Sequence, residues 1–540
     1  MSIASNGMKE TYLKVCRTLK WAVPTFYKMA LANKLVIKYF VSGVSAAATD
    51  LLLLYIFAEY VFHQSHYLLS VALAFVFSFF VSFFLQKFWT FEDNSWDEID
   101  RQIPIYFSIT AANLAVNLGL MYFFVTHLHI WYIYAQVLTG ALIAGFSILF
   151  YARFVFRTNK FCPKESVLIC AGIFTPDIGG PATHAENYLK GFVCEGYKTT
   201  VVTYSSGADR DLDTNHRIFR ISRSLPFGVR HFYYFARTLV ETIGHKIIYA
   251  QDITAAGIPA FLASKILDRR FFVRIGGDLL WERLAERGKI DMTMREFYAS
   301  GRYKKKLIYR LGKFLMNRAD KVIVSSDMLF EIYTKFYGIS ANKIIVIKNP
   351  LPEIKETRLP LEEAGVSVKK IIFAGRLVKY RNLDKLISAF AEIHDEVNPA
   401  KLFIYGEGPE EMSLRQIIRV KKLGDRVVLR KKVSHSALLG EIRNASVCVL
   451  PSLSDCNPNF ILECLSSGRP SVITRENGLS IALPEKFTFD PKNIDEMKAK
   501  LLMVLNDISS AEAETLSLVA PYRNYTWNDI IKQHIQLFNF

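Results

Sequence analysis

The chain has 540 residues, 51% hydrophobic and 14% aromatic, and a formal net charge of +17. That composition excludes a disordered chain, and ~150 residues per domain allows three or four domains. The 28 Gly and 18 Pro exclude collagen-like and linker-dominated chains, and seven Cys without a C-x-x-C pair exclude a disulfide scaffold and argue against a structural zinc. The positive balance points to nucleic acid, an anionic membrane surface or phosphate-rich substrates, and the placement of charge decides among them.

Residues 1–32 form a basic segment, either an amphipathic helix on the inner leaflet or a plain basic tail. Four apolar runs follow, at 39–58, 67–86, 103–126 and 130–152, each long enough for a bilayer that needs ~20 apolar residues. Only the first holds a charge, Asp50. Lys and Arg precede the first run, lie between the second and third, and follow the fourth. The loops around His63–His66 and His127–His129 carry neither. This alternation predicts a multi-pass protein of the cell (inner) membrane with both termini and the C-terminal part in the cytoplasm. Polar side chains inside spans face a bundle interior or a pathway. Asp50, Asn113 and Asn117 are the candidates for a membrane site, with interhelical hydrogen bonding as the alternative for the two Asn, which share a helix face.

The run Gly43-Val44-Ser45-Ala46-Ala47-Ala48-Thr49-Asp50, the closing Gln86-Lys87-Phe88-Trp89-Thr90-Phe91 and the ending Arg153-Phe154-Val155-Phe156 resemble the GtrA-like membrane family over 33–158. The resemblance implies a four-helix domain that handles polyprenyl-phosphate-linked sugars.

From 165 onward, short β-rich runs alternate with helical periods. Runs at 166–171, 199–203, 246–250, 270–275, 321–324 and 344–347 read as one set of buried parallel strands. Runs at 371–374, 401–405, 426–429, 447–450 and 471–473 form a second set. The pattern predicts two Rossmann-like α/β domains, 165–348 and 349–526, divided near Asn349-Pro350-Leu351-Pro352. The run 527–540 reads as a helix packing back on the first of them.

Each domain carries candidate chemistry after its first strand. Gly179-Gly180 precede a helix, which suits either an anion at the helix N-terminus or a tight structural turn. Arg376 and Arg381 follow the strand at 371–374, where two guanidinium groups would clamp a diphosphate. Gly406 and Gly408 end the next strand, where backbone would approach a nucleobase. Asp455 and Glu463 then present carboxylates suited to sugar hydroxyls.

In this order the motifs resemble retaining glycosyltransferases of family 4 with the GT-B fold, over 166–540. The resemblance implies that Gly179 and Gly180 face the donor phosphates, Arg376 and Arg381 the diphosphate, and Asp455 the donor hexose. It places Glu463 toward the ribose, with Asn459 beside it, and Asn477-Gly478 on a loop over the donor sugar. It also makes 165–348 the acceptor side and 349–526 the nucleotide-sugar side. Arg381-Asn382 replaces the usual Lys-Gly, Asp455 replaces a Glu, and Pro458 replaces a Gly. Gln251 and Gly276 stand where His is frequent, which leaves Asp252 and Asp278 as candidates for an acid/base or acceptor role; Asp252 is alternatively a helix cap.

The reading is an enzyme: a membrane-tethered hexosyltransferase with Arg376, Arg381 and Asp455 as catalytic residues. The nucleotide-sugar is its substrate, so no cofactor and no metal are expected. The acceptor is lipid-linked or a saccharide, and membrane lipids are partners. The basic stretch at 302–318 is either a headgroup-facing helix or a solvated face. No nucleic acid is expected. The alternative is a polyprenyl-phosphate-sugar flippase or presenter with a degenerate glycosyltransferase-like domain.

Overall fold

A computed structural model describes residues 34–62, 67–151, 155, 165–177, 179–205, 211–212, 216–352, 368–397 and 399–539. The segment 1–32 and the loop at 63–66 lie outside the described residues. The chain divides into two units, the first centred on the N-terminal helices and the second on two sheets.

The N-terminal helices are Lys34–Ile56, Tyr67–Phe84, Ile99–Tyr122 and Tyr132–Phe150. The first three continue into wider π-helical turns, Phe57–Val61, Leu85–Thr90 and Phe123–His127. Ile37–Val61, Leu73–Thr90 and Ile99–His127 are each long and apolar enough to cross a membrane, and the fourth helix adds the apolar stretch Leu138–Ile148. Phe40, Leu51 and Phe146 point outward at 68%, 68% and 63% exposure, which water disfavours and lipid accepts.

The second unit begins with strands β1 Ser166–Ala171, β2 Lys198–Ser205, β3 Asp211–Leu212, β4 His216–Ser222, β5 Ile247–Ala250, β6 Arg270–Ile275, β7 Lys321–Val324 and β8 Ile344–Val346. They form one sheet in the order β3-β4-β2-β1-β5-β6-β7-β8. It is parallel at β2–β4 and from β1 to β8 through β5, β6 and β7, with β3 antiparallel to β4. The second sheet contains β9 Lys369–Ala374, β10 Ala400–Tyr405, β11 Val427–Arg430, β12 Val447–Leu450, β13 Ser471–Thr474 and β14 Thr488–Phe489, in the order β11-β10-β9-β12-β13-β14 and parallel throughout. Strand interiors such as Val167–Ala171 and Val447–Leu450 are fully buried, because helices cover both faces of a parallel sheet.

Three strands differ from the sequence expectation: β3, β4 and β14. In β4, Arg217 and Arg220 interrupt the apolar run, as befits a strand near a sheet edge with one solvated face. β3 and β14 are two residues long, too short for any periodicity. The C-terminal helix Trp527–Asn539 packs on the first sheet through Ile530, Ile531 and Phe538, with His534 bonded to the Tyr249 hydroxyl at 3.0 Å.

Candidate active site

Strand order reverses beside β1 in the first sheet and beside β9 in the second. Ligands of open parallel sheets bind outside the carboxyl ends of strands at such reversals. β1 leads to Gly179 and the helix Gly180–Cys194, β9 leads to Gly375-Arg376, and β12 leads to the loop before the helix Asn459–Ser466.

On the C-terminal side, Arg381 ends a 3-10 turn, Lys379–Arg381, and pairs with Asp455; its Nη1 also reaches Ser452 Oγ at 3.1 Å. Burial opposes the Arg381 charge, but Asp455 beside it raises its pKa overall. Asp455 accepts the Asn457 amide at 3.1 Å, and its carbonyl accepts the Gly478 amide at 2.8 Å. Asn477 bridges to Asp455 in parallel, so the 477–478 loop is strapped onto the acid-bearing loop. Arg376 is exposed and pairs across the cleft with Glu286 of the helix Leu279–Glu286. Glu463 lies 3.0 Å from His435 Nε2, with its pKa raised by burial. Gly406 and Gly408 serve a packing role: a β-carbon on either would lie 1.9 Å from the Gly375 carbonyl oxygen or 2.2 Å from that of Leu377. Their missing side chains admit neighbouring backbone, where the sequence suggested a nucleobase.

On the N-terminal side, the structure gives Asp252 and Asp278 to capping. Asp252 accepts the amides of Thr254 (2.8 Å), Ala256 (3.0 Å) and Gly257 (3.4 Å) ahead of the helix Gly257–Leu267. Asp278 is buried, caps Leu279–Glu286 through the Trp281 amide at 2.8 Å, and accepts the hydroxyls of Tyr298 and Tyr333. Both carboxyls are pushed up by burial, and their oxygens are committed to local donors. One turn on from Asp278 stands Glu282. Burial, with Asp278 and Asp455 nearby, raises it to about 7 against the pull of Arg381 and Arg376.

A chain of amides joins the halves. Asn349 Nδ2 faces three acceptors that share its two hydrogens, Asn457 Oδ1, Asn459 Oδ1 at 3.0 Å and His184 Nε2 at 3.3 Å, and Asn349 Oδ1 accepts from Arg274 at 2.9 Å. The Asn459 amide nitrogen lies 2.7 Å from where a β-carbon on Gly180 would stand. Gly180 and Asn459, set far apart in sequence, thus meet at one point.

Three family descriptions match: "GtrA/DPMS, transmembrane domain" over 38–156, "Glycosyltransferase Family 4" over 178–353, and "Glycosyl transferases group 1" over 368–507. The chain is a GtrA-like membrane domain fused to a family 4 glycosyltransferase. The glycosyltransferase part is similar to a phosphatidylinositol N-acetylglucosaminyltransferase of Arabidopsis thaliana, 21% identical over 69% of this chain and 81% of that protein. Its fold is that of sucrose-phosphate synthase from Thermosynechococcus elongatus (TM-score 0.53, 16% identity, 69% of this chain and 98% of that one). It is also that of Anabaena HepE solved with UDP and glucose (TM-score 0.51, 16% identity, 69% and 99%).

In the GtrA-like domain, Asp50 accepts from Ser78 at 3.0 Å, Asn113 donates to Ser147 at 2.8 Å, and Asn117 Oδ1 is buried without a partner among the described residues. Sequence reasoning missed a denser network. Lys87 is fully buried, 3.2 Å from Asp93 and 2.6 Å from Gln102, which bonds Asp93 in turn at 2.8 Å. In the glycosyltransferase it missed Arg274, Glu282, Glu286, Asn349, Asn457 and His435 and gave His184 no role. Two of these had a signal: His184 follows the glycine pair by one helical turn, and Arg274 is a charge inside an otherwise apolar strand.

Proposed function

We propose that this glycosyltransferase moves a sugar from a nucleotide-sugar to a lipid-linked acceptor in cell-envelope glycan synthesis, with retention of configuration. The observation that carries the reading is the pair of arginines, Arg376 and Arg381, at the reversal beside β9, with Asp455 against the second. Cations fixed where a diphosphate leaves stabilise charge that grows in the transition state. The anomeric carbon–oxygen bond to the diphosphate breaks while the acceptor oxygen bonds to the same face. The acceptor proton passes to the departing phosphate oxygen. Asp455 holds hexose hydroxyls and Glu463 the ribose. In this reading 33–158 anchors the enzyme, 165–348 takes the acceptor, and 349–526 takes the donor.

A lipid-linked acceptor is supported by the helix Leu307–Arg318. Leu307 and Phe314 are exposed at 69% and 48%, beside Lys306, Arg310, Lys313 and Arg318 with no acid, a face suited to anionic headgroups. Both termini and the glycosyltransferase lie on the cytoplasmic side, and Asp50, Asn113 and Asn117 line the membrane site.

The test is incubation of the full chain in liposomes containing polyprenyl phosphate and polyprenyl-linked sugars with a panel of nucleotide-sugars, read by mass spectrometry of the lipid fraction. A lipid product heavier by one hexose-type residue, lost in Arg381→Ala, is expected. Sugar transfer undiminished in Arg381→Ala would overturn the assignment. Impermeant thiol labelling of cysteines placed at 64 and 128, but not at 95, tests orientation.

A further inference from the structure

We infer that Arg274 and His184 form an oxyanion subsite in the N-terminal half of the cleft, which receives a phosphate or carboxylate group of a substrate. The proposal rests on the glycosyltransferase reading for the identity of that substrate.

Four cationic side chains are buried among the described residues: Lys38, Lys87, Arg274 and Arg469. Three have a carboxylate: Lys38 pairs with Glu92 at 2.5 Å, Lys87 with Asp93 at 3.2 Å, and Arg469 with Glu512 at 2.6 Å. Arg274, 4% exposed, has an amide oxygen, Asn349 Oδ1, and the Tyr188 ring at 5.6 Å, but no acid in ion-pair contact among the described residues. Its Nε–H is buried without an acceptor among them. A guanidinium does not deprotonate in a protein, so it cannot escape this cost by losing its charge. A buried ion without a counter-charge costs several kcal/mol, which an arriving anion would offset.

The hydrogen bonds fix the rest. Arg274 only donates, so Asn349 turns its oxygen to Arg274 and its nitrogen away from it, and the two groups that reach His184 Nε2 are both amide nitrogens, of Asn349 at 3.3 Å and Asn459 at 3.5 Å. His184 Nε2 is therefore an acceptor. Burial and the Arg274 charge hold this imidazole neutral, with its pKa down to about 3. The proton then sits on Nδ1, which is also buried without a partner. Arg274 thus combines an unmet donor with an uncompensated charge, and the ring whose Nε2 meets its amide partner carries a second unmet donor on Nδ1.

The cluster lies at the carboxyl end of β6, just before Gly276. His184 lies in the first turns of the helix Gly180–Cys194, whose N-terminus adds favourable potential for an anion. Arg274 Nη1 lies 3.2 Å from where a β-carbon on Gly276 would stand, and Asn457 Nδ2 lies 3.9 Å from the same point. Any side chain at 276 would fill that space. Arg376 and Arg381 belong to the opposite half, so Arg274 supplies a third cation from the other side. The anion is either the distal phosphate of the donor or an acidic group on the acceptor.

The test compares wild type with Arg274→Met, full chain in detergent. UDP, GDP and ADP are titrated calorimetrically, each with its nucleoside. Inorganic phosphate is then titrated against thermal unfolding at constant ionic strength, with the bound nucleotide saturating. A diphosphate affinity at least tenfold lower in Arg274→Met, with nucleoside affinity unchanged, assigns the subsite to the donor. Unchanged nucleotide affinity, with phosphate stabilising wild type and not the variant, assigns it to the acceptor. Nucleotide and phosphate acting on the variant as on wild type would overturn the proposal. If wild type binds none of the nucleotides, the donor reading falls, and the phosphate titration alone still decides on Arg274. Should Arg274→Met fail to fold, Arg274→Gln keeps a polar contact to Asn349 without the charge, and the same readings apply.

Discussion

The two halves of the glycosyltransferase place their charges in different settings. In the C-terminal half the cations stand on loops beyond strand ends and meet carboxylates: Arg381 with Asp455, Arg376 with Glu286. In the N-terminal half, Arg274 sits inside a strand under Tyr188 and bonds an amide. An exposed loop cation such as Arg376 is cheap to keep and free to follow a ligand, Arg381 is held by Asp455, and a core cation is fixed and exerts its field at little further cost in reorganisation. The C-terminal half therefore holds a cation free to respond, and the N-terminal half one that pre-sets the potential.

The largest effect separates activity from stability within the responsive half. Arg376 is 64% exposed in its pair, so Arg376→Ala should change folding stability by less than about 1 kcal/mol. If Arg376 acts on the leaving diphosphate as proposed, the substitution should still lower turnover on the order of 100-fold. Arg381→Ala should lower turnover as much and also cost roughly 3 kcal/mol of stability, since it strands the half-buried Asp455. Steady-state kinetics with the identified donor and urea unfolding check both. Equal stability losses in the two variants would erase the distinction between the arginines.

Acid probes the pre-set half. His184 and His534 are buried neutral, each held near a pKa of about 3 by burial, against 6.5 for an ordinary imidazole. The unfolded chain takes up protons below about 6.5, where the folded chain does not. Stability contributed by these groups is complete above pH 6.5 and drains as pH falls toward 3. Urea unfolding midpoints of the full chain between pH 8 and 4 should show the decline. His534→Phe should make it shallower by about one proton. An unchanged slope would show that other groups govern acid unfolding.

Glu282 runs the other way. Its folded pKa, about 7, lies above the 4.5 of an ordinary glutamate. The folded state keeps a proton that the unfolded state has lost, so stability falls as pH rises from about 4.5 to 7 and stays lower beyond. Glu282→Gln should be more stable than wild type at pH 8, on the order of 2 kcal/mol, and no different at pH 4.5. Equal stability at both values would mean that Glu282 ionises freely.

Legibility in the sequence divided along the same line. The apolar runs and most buried strands were readable because periodicity and length follow from burial. Arg376, Arg381, Asp455 and Glu463 were readable as residue types placed after strands. Arg274 was visible only as an irregularity in Phe271-Phe272-Val273-Arg274-Ile275, and nothing local says which residues face it. Its partner Asn349 is 75 positions away. The capping roles of Asp252 and Asp278 depend on backbone amides, which every residue but proline offers, so composition could not separate a cap from an acid. Lys87 stands within a recognisable motif, yet its burial depends on Gln102 and Asp93 folding over it.

The smallest expected effect concerns Glu463 and His435, a contact confined to the C-terminal half. His435 is 66% exposed and Glu463 only 17%. An exposed partner contributes little, so His435→Ala should cost about 0.5 kcal/mol or less of stability. Glu463 is different in kind. Its pKa is raised by burial, and His435 works against that rise, so removing the histidine leaves the carboxyl easier to protonate. A protonated Glu463 accepts fewer hydrogen bonds from a ribose. The donor KM of His435→Ala should therefore exceed that of wild type increasingly as pH is lowered, with kcat unchanged, because a ribose contact is the same in ground and transition states. Glu463→Ala should raise KM at every pH. A pH-independent KM in His435→Ala would make the histidine a bystander, and a fall in kcat in Glu463→Ala would move that carboxylate from donor binding into the chemistry.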